Sequence, residues 1–305
     1  MAIKLYKKPK LEKPTLIVGW PGIGNIGIIA VDTLRSQLQA EELGEIEPWD
    51  FFYPRKVSIK NGLMKNLEFP TNKFYYQRVE GKDLILFIGE QQPTEGEGSY
   101  SKGEKAYQMA NLVLDAGLEF GCQRVYTSGA CVSLIHHQMK PRVCVVVSSK
   151  TLAEEVKKYQ NTTLMSQMGG KESEGVITGL NGLLLAVAKK RGLESICLMG
   201  EIPDWLSQVP QSYPKASKSV VEVFAQILKI RVDFSSLDYM TTQIEGIIEK
   251  IYEKFPPGMK EKYDQRKFIV QAEPGTITEE DAKWIEEHID ELFKRGDKED
   301  GGKPI

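Results

Sequence analysis

The chain has 305 residues, 41% of them hydrophobic and 27% charged, the composition of an ordinary globular protein. With 40 Lys and Arg against 42 Asp and Glu the net charge is −2, which gives no electrostatic reason to expect nucleic acid or an anionic membrane as partner. The longest strongly apolar stretch, Leu180 to Ala188, falls far short of a bilayer span, and Met1 to Lys8 carries no apolar segment of a secretory signal. Cys122, Cys131, Cys144 and Cys197 show neither C-x-x-C nor zinc spacing, so buried free thiols in a cytoplasmic protein are expected.

Residues 1–14 read as a short extended lead-in. A strand at Thr15 to Gly19 then enters the turn Trp20-Pro21-Gly22-Ile23-Gly24-Asn25-Ile26-Gly27, and a helix runs from Asn25 to about Ala40. Asn61-Gly62 is a strong hairpin signal joining Val57-Ser58-Ile59 to Leu63 through Phe69. Lys73 to Val79 is a further strand. Leu84 to Gly89 is a continuous apolar run of the kind buried on both faces of a central sheet. The polar stretch Glu90 to Lys102 suits a lid or an oligomer contact. A helix over 104–119 stops at Gly121. Strands follow at Arg124 to Thr127 and Arg142 to Val147, then a short helix at Leu152 to Tyr159, an apolar helix at Gly175 to Arg191 and a strand at Ser195 to Met199. Strands and helices alternate after residue 84, the pattern of βαβ units and a mostly parallel sheet.

From Tyr213 onward only helical patterns remain. Val220, Val221, Phe224, Ile227 and Leu228 form one apolar face, and Leu237, Met240, Ile244, Ile247, Ile248, Ile251 and Phe255 form another, a stripe suited to self-association. Pro256-Pro257-Gly258 breaks it. Thr278-Glu279-Glu280-Asp281 resembles a capping signal ahead of Trp284 to Phe293, and Gly296 to Ile305 is expected to be disordered. The expected domains are therefore an α/β core over 1–212, a helical region over 213–295 packed on it, and a tail over 296–305.

Gly22, Gly24 and Gly27 match G-x-G-x-x-G, which serves either a phosphate at a helix N-terminus or close strand-to-helix packing. Dinucleotide binding requires an acidic residue ending a second strand about twenty residues on. Glu45 and Glu47 lie at that distance, but Pro48 and the aromatic run behind them do not resemble a buried parallel strand. The glycines are thus read mainly as structural. Ligands of open parallel sheets sit beyond the strand carboxyl ends. Gly22, Gly24, Asn25, Glu90, Ser128, Gly129 and Glu201 are the ligand-binding residues expected there, able to cradle a ribose or an anion. His136 and His137, being adjacent, make a poor metal pair and are expected in a loop or at the surface. Asn181, in an apolar helix between Gly179 and Gly182, is either a capped core amide or a site residue. G-x-S-x-G, H-E-x-x-H and Walker A sequences are absent. No catalytic residue, metal or cofactor is assigned.

The segment Val18 to Gly27 resembles the opening signature of the proteasome assembly chaperone 2 family. The Asp83 to Gln92 strand and loop, Ile177 to Leu184, and Arg191-Gly192 leading through Leu198 to Pro203 agree in order, so the resemblance covers roughly residues 14–255. It implies a three-layer α/β/α core with a mixed, mostly parallel sheet like that of purine nucleoside phosphorylases, plus a C-terminal helical subdomain. It also implies self-assembly into a trimer or larger and chaperone-like binding of proteasome subunits. Prokaryotic members are also catalogued as similar to ATP-grasp ligases, whose metal and nucleotide set is not evident here. Proteasome-binding members end in a hydrophobic residue, a tyrosine and any residue. This chain closes Gly302-Lys303-Pro304-Ile305, so docking through such a terminus is not expected. The reading is a non-enzymatic oligomeric binding protein; the alternative is a nucleoside- or phosphate-handling enzyme or ligand-binding protein using the strand ends.

Overall fold

Leu16-Ile17-Val18 and Leu84-Ile85-Leu86-Phe87 are fully buried, which a strand achieves only at the centre of a sheet covered on both faces. The computed structural model describes residues 3–79, 81–93, 103–167 and 175–267. The chain runs β1 (Ile3–Leu5), β2 (Thr15–Gly19), α1 (Ile26–Gln37), β3 (Glu41–Ile46), β4 (Lys56–Lys60), β5 (Leu63–Glu68), β6 (Asn72–Val79), β7 (Lys82–Gly89) and α2 (Glu104–Glu119). It continues β8 (Arg124–Ser133), β9 (Val143–Val147), α3 (Lys150–Val156), β10 (Thr162–Leu164), α4 (Gly179–Lys190), β11 (Glu194–Pro203), α5 (Pro214–Leu228), α6 (Ser235–Tyr252) and α7 (Pro257–Asp264).

Nine of these strands form one mixed sheet in the order β1-β3-β6-β7-β2-β8-β11-β9-β10. Its centre, β7-β2-β8-β11, is parallel throughout. The β1-β3-β6 flank is antiparallel, and so are the junctions of β6 with β7 and of β9 with β11. One apolar cluster joins α1 and α5 to one face, with Phe224 edge-on to Tyr126 at 5.7 Å; a second joins α2 and α4 to the other. The result is the expected α/β/α sandwich. β4 and β5 form a separate two-stranded hairpin, turned at Asn61 (φ 55°) and Gly62 (φ 76°), both in the left-handed region that the Asn-Gly pair tolerates.

Several elements differ from their sequence reading. The lead-in contributes β1, which pairs with β3. β3 is glutamate-rich, and only its Leu43, Gly44 and Ile46 are buried. α4 starts at Gly179 (φ 74°) instead of Gly175. β8 and β11 run to Ser133 and Pro203, because their parallel ladder continues through residues with turn-like chemistry such as Ser128 and Gly129. α5 belongs to the layer beside α1, and α6 packs outside it. Most of the polar stretch after Glu90, the pattern from Thr278 to Phe293 and the segment 296–305 lie outside the described residues. No helix among the described residues is long and apolar enough to cross a membrane.

Candidate functional site

The glycine turn carries the chain from β2 into α1. Gly24 has φ 62°, and a Cβ there would lie 3.0 Å from Ile202 Cδ1 and 3.1 Å from Tyr213 Cβ. Asn25 is also left-handed (φ 50°); its backbone N–H donates to Gly22 O at 2.9 Å and its Nδ2 to Ser212 Oγ at 3.2 Å. Gly27 faces the backbone of β8, and a Cβ there would stand 2.7 Å from the Ser128 carbonyl carbon and nearer still to its oxygen. Gly24 and Gly27 are therefore required by conformation and packing. Gly22 is not: its backbone is extended (φ −166°), and a Cβ on it would meet nothing within 4 Å.

Gly22 stands between two hollows. One is a crevice of about 260 Å³ beside β8, bounded by Gly129 to Val132 on that strand, by Gly22 and Ile23 on the turn, and by Met165, Ile177, Thr178 and Asn181 opposite. Among the described residues that line it, none carries a charge. Gln92 ties its walls together. Its Nε2 donates to Pro21 O at 2.6 Å and its Oε1 accepts from Leu180 N–H at 3.0 Å, capping α4 with a side chain where Thr178 makes no cap. Asn181 is 9% exposed, and among the described residues its buried Oδ1 has no partner. The second hollow, about 620 Å³, lies between Gly24, Asn25, Glu90 and the segment Ser207 to Gln211.

Of the residues expected at a site, Gly22 and Gly129 line the crevice, while Gly24, Asn25 and Glu90 line the second hollow. Glu90 accepts from Arg55 at 3.1 Å and from Thr71 N–H at 3.2 Å. Ser128 and Glu201 line neither hollow. Ser128 is fully buried and donates to Leu198 O at 3.0 Å. Glu201 is 0% exposed, and its carboxylate accepts from Arg142 Nε, guanidinium NH2 and backbone N–H, each at 2.9 Å. Both sit inside ladders that continue past the expected strand ends. Sequence reasoning did not assign Gln92 to a site, although it closes the Asp83 to Gln92 motif; Asn181 was visible as an amide in an apolar helix.

The histidine pair lies in a loop, but it is not a surface pair: His136 is 0% exposed. Its Nε2 meets Asp264 at 3.1 Å, while His137 meets Glu249 at 3.0 Å and its N–H donates to the Tyr263 hydroxyl at 2.8 Å. Tyr263 and Tyr252 cover both rings. Burial, with the neighbouring His137 ring next, pushes His136 down to about 4, and burial lowers His137 in the same direction. All four cysteines are buried. Burial pushes the Cys197 thiol up to about 12, and a hydrogen bond with Cys144 lowers that of Cys131, in the crevice wall. Among the described residues no group of three His, Cys, Asp or Glu side chains could hold a metal ion.

The fold and crevice define a three-layer α/β/α protein with a cleft at the carboxyl end of its parallel strands. The family model described as the PAC2 family matches residues 16–252, and the chain belongs to that family. An uncharacterized protein of Methanocaldococcus jannaschii is 31% identical over 276 residues, 90% of this chain and 93% of that one. The crystal structure of Pyrococcus furiosus PbaB, described as an archaeal proteasome activator, is 29% identical and superposes with a TM-score of 0.68, covering 82% of this chain and 97% of PbaB. PbaA of the same organism, described as an archaeal homolog of proteasome-assembly chaperone, shares the fold at 21% identity and a TM-score of 0.59, over 88% of this chain and 100% of its own.

Proposed function

We propose that the protein is a non-enzymatic, homo-oligomeric binding protein of chaperone type, a trimer or larger acting in the cytoplasm with a proteasome subunit as partner. The observation that carries this reading is the likeness to PbaB, which extends over nearly the whole of that chain. Self-association is supported by the hairpin. Paired Val57 and Leu67, and Ile59 and Met64, present apolar side chains on β4 and β5, with Ile59 69% and Met64 72% exposed. A two-stranded hairpin is marginally stable alone in water, and an apolar patch on the order of 400 Å² marks an interaction surface. Affinity capture from native lysate with mass spectrometry tests the partner, and light scattering the assembly. Absence of any proteasome subunit at near-stoichiometric level would refute the first, and a monomeric mass the second.

The position of the crevice favours one rival, a nucleoside- or phosphate-handling site at the strand ends. The lack of charge among the described lining residues argues against a phosphate. A thermal-shift series with nucleosides, nucleotides and phosphate separates the two, since occupancy at about a hundred times the dissociation constant adds about 2.7 kcal/mol. A flat response removes the rival.

A further inference from the structure

Three of the four cysteines meet under α4. Cys131 on β8, Cys197 on β11 and Cys144 on β9 share one apolar cluster with Met165 and Met199. The register brings them together: Met199 lies opposite both Gly129 and Cys144, and Glu201 lies opposite Cys131, so these side chains occupy one face of the sheet. Cys144 and Cys197 are 0% exposed, whereas Cys131 is 8% exposed and stands in the wall of the crevice. Their chemistry differs as well, because the thiolate is the nucleophilic form of cysteine. Cys197 also borders the crevice, but burial keeps it a thiol. Cys144 is held protonated, since its S–H donates to the Cys131 sulfur, and Cys131 as the acceptor ionises first. Glu201 and Arg142, the charged groups that act on Cys131, are locked to each other at 2.9 Å, so their fields on the sulfur oppose. Two residues back along β8, Asn181 Nδ2 fills the space a side chain would take on Gly129, 3.0 Å from where its Cβ would lie. Asn181 Oδ1 has no partner among the described residues, which leaves an acceptor for a donor that enters the crevice.

We propose that Cys131 is a site of oxidative modification, at which a small hydroperoxide entering the crevice converts the thiol to a sulfenic acid. The Cys131 sulfur attacks the peroxide oxygen that bears the hydrogen. An S–O bond forms, the O–O bond breaks, and the other oxygen departs as hydroxide or alkoxide, taking up the proton the thiol released. The sulfur loses two electrons and the peroxide gains them, so the products are one sulfenic acid and one water or alcohol. A hollow of about 260 Å³ is several times the roughly 30 Å³ share of a water molecule, room for such an oxidant and for the added oxygen. Both the peroxide and the sulfenic acid carry an O–H, for which Asn181 Oδ1 is an acceptor. A second thiol ordinarily resolves a sulfenic acid by closing a disulfide. Cys144 does not, because β11 lies between β8 and β9. Two strand spacings separate the Cα atoms by roughly 9–10 Å, beyond the roughly 7 Å that a disulfide spans, and both strands are fixed in the sheet. Cys131 therefore stays oxidised until a small thiol from solution reduces it, and meanwhile its oxygen adds a polar group to the wall of the crevice.

The test uses the full, reduced chain, briefly exposed to hydrogen peroxide with dimedone present to trap sulfenic acid. Intact mass should show one adduct per chain, and peptide mapping should place it on Cys131, at least about tenfold ahead of Cys122, Cys144 and Cys197. Without the trap, a non-reducing peptide map should contain no Cys131–Cys144 disulfide. Cys131→Ser should abolish the adduct. Cys144→Val removes the donated hydrogen and should slow trapping at Cys131 about tenfold at pH 7, with the melting temperature within a few degrees of wild type. An adduct on another cysteine, equal labelling of all four, or no adduct on the native chain where the urea-unfolded chain is labelled would overturn the proposal. So would a Cys131–Cys144 disulfide, or a Cys144→Val rate equal to wild type. These readouts need no partner chain, so a failed lysate capture leaves them standing.

Discussion

Gly27→Ala isolates the structural role of the glycine turn. In a helix the change from Gly to Ala is ordinarily favourable by roughly 1 kcal/mol, because alanine loses less backbone freedom on folding. Here the new Cβ would lie 2.7 Å from the Ser128 carbonyl carbon and 3.2 Å from Gly129 N, with the carbonyl oxygen nearer still. Each of these atoms belongs to backbone held in the β8–β11 ladder, so no side chain can rotate away. Relief requires α1 to lift from the sheet, which loosens the packing of Ile26, Ala30 and Val31 as well. Overpacking of this kind costs about 1–3 kcal/mol, and backbone against backbone belongs at the upper end. The net expectation is a loss of about 2 kcal/mol. Gly246 in α6 is the control, since a Cβ there meets nothing within 4 Å and Gly246→Ala should gain roughly 0.5–1 kcal/mol. Urea unfolding of both variants, with unchanged m-values, should move the midpoints in opposite directions. A Gly27→Ala protein as stable as wild type would refute the packing account and return the glycines to a ligand.

Arg142→Ala leaves the buried Glu201 carboxylate without its cation and should destabilise by about 3–5 kcal/mol, most of it recovered in the double variant Arg142→Ala, Glu201→Leu. His136 is held neutral, with its pKa lowered to about 4 in the fold. Its contribution is therefore complete above the unfolded value of about 6.5 and is lost as pH falls toward 4. Water reaching Asp264 screens the charge, so about 1–2 kcal/mol should disappear over that window. Melting curves from pH 7 to 4 should show it, with a flatter slope for His136→Gln; equal slopes would discount the histidine. Ile59→Glu combined with Met64→Glu should reduce the mass seen by light scattering to that of a monomer without lowering the melting temperature by more than a few degrees. An unchanged mass would place the assembly surface elsewhere.

What was legible in the sequence was local. The hairpin at Asn61-Gly62 depends on two residues that accept left-handed backbone, and the central strands on unbroken apolar runs; each signal sits inside the element it specifies. What was not legible depends on residues far away in the chain. The histidine pair reads as polar loop, yet it is buried by Tyr263, 126 residues beyond His137. β3 is glutamate-rich, and its place in the sheet comes from β1 and β6 on either side.

The same distinction explains the site. Ser128 and Glu201 were expected at strand ends because serine, glycine and glutamate are poor strand interior residues, but a strand stops where its partner stops. β8 and β11 hold each other in register to Ser133 and Pro203, so these two side chains are enclosed, one on a carbonyl and the other on a guanidinium. β2 has no such support. Pro21 cannot donate a ladder hydrogen bond, and Gly24 and Asn25 need left-handed backbone, so the chain leaves the sheet at Gly19. Gln92 then ties the turn to α4 beside the crevice, bonding Pro21 on one side and Leu180 on the other. The glycine signature acts as a strand terminator and, through Gly27, as the close contact between α1 and the backbone of β8.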